Sequence, residues 1–219
     1  MLNSIRLNAG TTEPKILQLL TIIGELKTPS PPLLQSVKNP ITKKVCTTPM
    51  FNRLVTEKVV SVTDTGQMTL AVKAFEILKY YNCPYKHIIK DPDISESPHT
   101  LEIQSFLYPL MFSNGYHATI YPKLDKHELR PDACLVFSCP EGYKIQFVEV
   151  ENTDKHAGYL KDKHKKYSSF GADVTAWDSW WKRWSDSLGL PYCTKDEFKF
   201  SVLCKGNKTF EWDGWEWAN

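Results

Sequence analysis

The sequence predicts a chain of mixed α+β and α/β class in two modules. The first is a set of short helices around a β-hairpin, and the second runs α-β-β-β-α-β. Three observations predict this. Residues 1–82 hold 10 Lys/Arg against 5 Asp/Glu, whereas residues 83–219 hold 17 against 20, so a basic module precedes a mildly acidic one. Helical periodicity in the first 82 residues is broken once by two β-branched runs flanking a turn. After residue 97, apolar strand-like runs alternate with helical ones. At 42% apolar and 12% aromatic, the 219 residues can bury a core, which argues against a disordered chain.

In order, TTEPKILQLLTIIG (11–24) offers threonine caps, Pro14 in the first turn and apolar residues at 16, 19, 20 and 23, an amphipathic helix stopped by Gly24. Ser30-Pro31-Pro32 opens a short helix running to Val37. Thr47 or Thr48 caps a third, TPMFNRLV. KVVSVTDTGQMTLAV then reads as a hairpin turning at Asp64-Thr65-Gly66, followed by a helix over 72–81. Helices, hairpin and closing helix in this order resemble a winged helix-turn-helix. That resemblance makes 11–82 a DNA-binding domain with Thr47–Glu57 as recognition helix. Arg53 would face DNA, Lys43, Lys44 and Lys58 would lie near phosphates, and Gln67 would sit in the wing. The alternative is a winged helix used for protein contacts alone.

Residues 83–96, with two prolines and mostly polar side chains, read as a linker, and the second domain spans 97–219. Ser97-Pro98 caps a helix ending at Gly115; YHATIY, DACLVFS and KIQFVEVE are strands; a helix from about Thr153 ends at Gly171; and FKFSVLC is a fourth strand. Trp177, Trp180, Trp181 and Trp184 fall at i, i+3, i+4 and i+7, one stripe of an amphipathic helix that suits core packing or a subunit interface better than base stacking. EWDGWEW at the C-terminus reads as a strand or lid.

Several classes are disfavoured. The six cysteines contain no CxxC pair, and the histidines show no HExxH spacing, so neither a disulfide frame nor a zinc site is expected. There is no P-loop and no GxGxxG. No run of 18 apolar residues spans a membrane, and the chain does not open on a basic segment followed by an apolar one, so a cytoplasmic protein is expected.

The stretch RPDACLVFSCPEGYKIQFVEVEN (130–152) carries the chemistry. Asp132 opens one apolar strand, and Glu149 and Glu151 close the next, after 16 intervening residues. Unpaired carboxylates in buried strands cost several kcal/mol or shift their pKa, so either these acids point to solvent or something cationic sits among them. Side chains alternate along a strand, so Glu149 and Glu151 share a face, and an antiparallel neighbour can bring Asp132 beside them. Such a cluster of hard oxygens suits Mg²⁺ or Mn²⁺. The αβββαβ order with PD and a distant E-x-E resembles the restriction-endonuclease-like PD-(D/E)xK nucleases. The resemblance implies that Asp132 and Glu149 hold the metal, with Glu102 on the preceding helix adding a ligand.

One departure is plain: Glu151 stands where that motif has lysine. A lysine has moved to the next helix, where Lys155, Lys163 and Lys166 are candidates; or Glu151 serves a second metal; or the site is inactive. A further set of motifs, His99 with Glu102, Pro131-Asp132, Glu149-Val150-Glu151, and Lys163 with Tyr167, resembles the replication-relaxation family of plasmids, conjugative elements and phages over roughly residues 12–170. The resemblance implies a role in plasmid replication, mobilisation or transposition.

The expectation is therefore a DNA-binding protein of a mobile element, with double-stranded DNA as partner, a homodimer or partner proteins of a mobile-element complex around it, and no membrane. Its Mg²⁺-dependent endonuclease centre would use Asp132, Glu149, Glu151 and Lys163, with Lys155 and Lys166 on DNA phosphates. The rival expectation is a catalytically inactive scaffold or regulator on the same fold.

Overall fold

A computed structural model describes residues 13–36, 46–90, 92, 97–140, 142–151, 157–195, 198–205 and 215–217. The fold is mixed α and β and divides into two compact units, one of residues 1–96 with 104–109, the other of residues 97–103 with 110–219. No helix among the described residues is long and apolar enough to cross a membrane.

The first unit runs α1 (Glu13–Glu25), α2 (Pro31–Ser36), α3 (Thr48–Thr56), β1 (Val60–Val62), β2 (Met68–Leu70) and α4 (Val72–Tyr80). The Thr47 side chain caps α3 by accepting from the Met50 N–H. β1 and β2 pair antiparallel with Val60 opposite Leu70, and Gly66 supplies the positive φ in their turn. Leu19, Leu20 and Ile23 of α1 and Ala74, Ile77 and Leu78 of α4 form its core. The stretch expected to be a linker contributes to that core, because His87 and Ile88 are buried. His87 Nε2 sits 2.8 Å from Glu25 Oε1, and both side chains are almost wholly enclosed. A Cβ on Gly24 would come within 2.9 Å of the Ile88 and Leu70 side chains.

The second unit is built on a five-stranded sheet. α5 (Pro98–Leu110) precedes β3 (Tyr116–Ile120), β4 (Ala133–Cys139) and β5 (Gly142–Val150); α6 (Ala157–Ala172) and α7 (Val174–Leu188) follow, then β6 (Phe198–Lys205) and β7 (Trp215–Trp217). The strand order is β3-β4-β5-β6-β7. The first two pairings are antiparallel and the last two parallel. A parallel step needs a long crossover, and the segment carrying α6 and α7 provides it between β5 and β6. β5 is therefore central, and its residues 145–150 are all buried, as a strand covered on both faces must be.

Alternation along β5 sends Ile145, Phe147 and Glu149 to one face. Phe147 packs there against Tyr167, Phe170 and Trp180 of the two helices. The tryptophan stripe of α7 is the floor of this core, with Trp177, Trp180 and Trp181 each less than a tenth exposed. α7 starts on Asp173, whose carboxylate accepts from the Ala176 N–H, and stops at Gly189 in the left-handed region.

Candidate functional site

Asp132 immediately precedes β4 and lies beside the end of β5, since Ala133 pairs with Val148. Its backbone N–H donates to the Val148 carbonyl, and its Oδ2 accepts the Val150 N–H at 2.7 Å, so sheet pairing itself fixes the carboxylate. Oδ1 lies 3.2 Å from His99 Nε2 on α5. Glu102, one turn beyond His99, is half-buried on the same helix.

Glu149 is 1% exposed. The strand directs it at α6, where Tyr159, Lys163 and Tyr167 recur every fourth residue and so share a face. The Tyr167 hydroxyl donates to Glu149 Oε1. Lys163 Nζ lies 2.7 Å from Glu149 Oε2 and donates to Glu151 Oε1 at 3.1 Å. The same ammonium sits 5.4 Å from the centre of the Tyr159 ring. The cationic partner expected among the carboxylates is thus Lys163, on the helix after the E-x-E strand.

Burial pushes the Glu149 carboxyl up to about 7, against the pull of Lys163 and the Tyr167 hydroxyl, with the nearby Asp132 charge adding to the rise. For Lys163, burial disfavours the charge, but Glu149 and then Glu151 outweigh it and hold the ammonium above its usual range. The pair is thus a lysine charged throughout the neutral range beside a glutamic acid that titrates near neutrality.

The other expected residues fall out differently. Lys166 is on α6 but on its flank, paired with Asp162 and Glu128 at 3.3 and 3.4 Å. Arg53 on α3 is over a third exposed and pairs with Glu57 at 2.8 Å. Lys58 is exposed at the end of α3, with φ of 55°. Gln67, expected in the wing, lies in the hairpin and is buried there; its N–H bonds Thr63 Oγ1 and its own carbonyl accepts from the Thr63 N–H. Lys43, Lys44 and Lys155 lie outside the described residues.

Sequence reasoning missed Tyr159, whose position four residues before Lys163 was the available signal. It also missed Arg130 and Glu128, which with Tyr159, Asp162, Lys163 and Lys166 line a cavity of about 370 Å³ over the lysine.

The expected three-acid convergence takes another form. Glu149 and Glu151 meet on Lys163, while Asp132 is held from the neighbouring strand. Among the described residues, no group of three or more His, Cys, Asp or Glu is gathered as a metal cage. The donor chemistry of Asp132 and Glu149 still suits Mg²⁺, which takes one or two protein carboxylates and fills its shell with water and substrate phosphate. Compared with known protein families, curated sequences and solved structures, the chain matches none.

Proposed function

We propose that this is a DNA-binding protein whose second unit is a restriction-endonuclease-like domain cleaving a DNA strand. The observation that carries the reading is the seat of Lys163, whose ammonium lies 2.7 Å from Glu149 and 3.1 Å from Glu151. A cation beside the acids, delivered by the helix that follows them, restores the component missing from the E-x-E sequence. Asp132 and Glu149 would hold Mg²⁺, which when bound supplies charge on the phosphodiester oxygens and an acidified water.

Lys163 would stabilise negative charge that develops on the phosphate, or orient the attacking water, from a position fixed before substrate arrives. Tyr167 holds Glu149 in one rotamer by bonding its Oε1. His99 orients Asp132 from α5. The order of elements in the first unit supports a winged helix-turn-helix that docks on duplex DNA, with Arg53 and Lys58 toward the backbone. The motif resemblance to the replication-relaxation family favours a mobile-element setting.

The test is strand scission. Supercoiled plasmid is incubated with the protein and Mg²⁺ or Mn²⁺, alongside Asp132→Ala and Glu149→Ala. Nicking by the wild type that disappears in both variants supports the enzyme. DNA binding without nicking, equal in all three proteins, would leave a scaffold on the same fold. That second reading has its own support, since the Glu149 and Glu151 carboxylates are already engaged by Lys163.

A further inference from the structure

A cavity of about 640 Å³ lies beside the one over Lys163, and the two share Asp125. A third, of about 370 Å³, shares Lys126 and His127 with the first and Glu128 and Lys166 with the second. Through these shared residues the three cavities adjoin one another along one side of the second unit, as one groove. Cations line its whole length: Lys123, Lys126 and Arg183 at the far end, Lys165 and Lys166 in the middle, Arg130 and Lys163 at the site. Asp125, Glu128 and Asp162 are the acids in the lining, and Lys126 and Lys163 are also paired with Asp173 and with Glu149 and Glu151, so the positive excess rests on Lys123, Arg130, Lys165 and Arg183. Lys123, Arg130, Lys165 and Arg183 form no ion pair with any described residue.

The far end is also aromatic. Tyr121, Trp180 and Trp184 line it, and the half-buried Trp184 backs onto the hydrophobic core. A ring supported from behind and lining a cationic cleft is a stacking platform. Bases of a duplex are stacked on one another and offer no face to such a ring, whereas a single strand does.

We infer that this groove binds single-stranded DNA, stacking a base on Trp184 and leading the phosphates past Lys123, Arg183 and the α6 lysines toward Lys163. The inference rests on the reading of the protein as DNA-acting and names the form of its substrate at the centre.

The full chain is titrated with a labelled oligothymidylate of 12 nucleotides, and with an abasic phosphodiester strand of the same length, over a range of KCl. The wild type is expected to prefer the base-bearing strand by about ten-fold, as one stacked base gives. Trp184→Ala removes that preference and leaves the salt dependence unchanged. Lys123→Ala with Arg183→Ala, at exposed positions that do not endanger folding, lowers the slope of log K against log [salt] by about 1.4 while duplex binding stays at the wild-type level.

Equal affinity of the wild type for both strands would overturn the inference, as would an unchanged slope in the double variant. Displacement by polyglutamate as effective as that by oligothymidylate would do so too, since it marks an unselective polyanion surface. Loss of nicking dependence on Asp132 with this binding pattern intact would remove the cleavage reading and leave the groove standing.

Discussion

Glu149 and Lys163 set the energetics of the site at the scale of single residues. A carboxyl that is 1% exposed with a pKa near 7 binds a proton in the folded state over a window, from 4.5 to about 7, where the unfolded chain has released it. Stability is therefore greatest below that window and falls as pH rises through it. The expected loss is on the order of 3 kcal/mol. Urea midpoints at pH 5 and pH 8 check this: the wild type should lose that much relative to Glu149→Gln, which has no proton to release. Lys163→Met should destabilise by about 3 kcal/mol at pH 8, because it leaves the glutamates without their cation. Adding Glu149→Gln to that variant should recover part of the loss, and a double-mutant cycle of thermal unfolding measures how much. Asp132 and the two glutamates were legible in the sequence because a buried strand does not carry acids without a reason. The choice of Lys163 over Lys155 and Lys166 was not, since local sequence does not fix how α6 rotates against the sheet. The contact from His99 to Asp132 spans 33 residues and left no trace in either local pattern.

At the scale of elements, the same reasoning explains which boundaries could be read. The hairpin of the first unit announced itself through Val59, Val60 and Val62 and the Asp64-Thr65-Gly66 turn, and β4 and β5 through their β-branched and aromatic runs. The tryptophan stripe fixed α7 and its buried face, with Trp177 and Trp181 at 1% and 0% exposure. The parallel pairing β5–β6 was not legible, because the partner of a strand across a long crossover depends on the packing of α6 and α7 and not on either strand alone. Gly115 shows how a connection is constrained. Its φ is +78°, its carbonyl accepts from the Ser138 N–H at 2.7 Å, and a Cβ there would lie 2.4 Å from the Ser138 carbonyl oxygen. Gly115→Ala is expected to cost about 2 kcal/mol or more, from left-handed strain alone before the backbone clash is added. Chemical denaturation of that variant beside Gly66→Ala, whose added Cβ meets nothing within 4 Å, separates the two contributions.

For the whole molecule, the division into two units seats the proposed duplex recognition and the proposed strand chemistry separately. The charge split of the sequence pointed to such a division, but it did not show that His87 and Ile88 are buried in the first unit. The Glu25–His87 contact joins residues 62 apart, and burial of both partners makes it structural. Glu25→Ala is expected to destabilise the first unit by about 2 kcal/mol, because it removes the hydrogen-bonding partner of the enclosed His87 ring nitrogen. Duplex affinity should fall with that unit's stability, which DNA titration of the variant at 15 and 30 °C tests. Arg53→Ala should reduce the salt slope of duplex binding by about 0.9, one phosphate contact, without altering the oligothymidylate preference. The central claim is that Lys163, delivered by α6 to Glu149 and Glu151, completes a strand-cleaving centre. Its most direct test is the single-turnover nicking rate of supercoiled DNA in Mg²⁺ for wild type, Lys163→Arg and Lys163→Met, with DNA binding measured in parallel. The account predicts a wild-type rate that drops by about a hundred-fold or more in Lys163→Met and is partly kept in Lys163→Arg, at unchanged duplex affinity. Equal rates in all three proteins, or no nicking by the wild type, would contradict it.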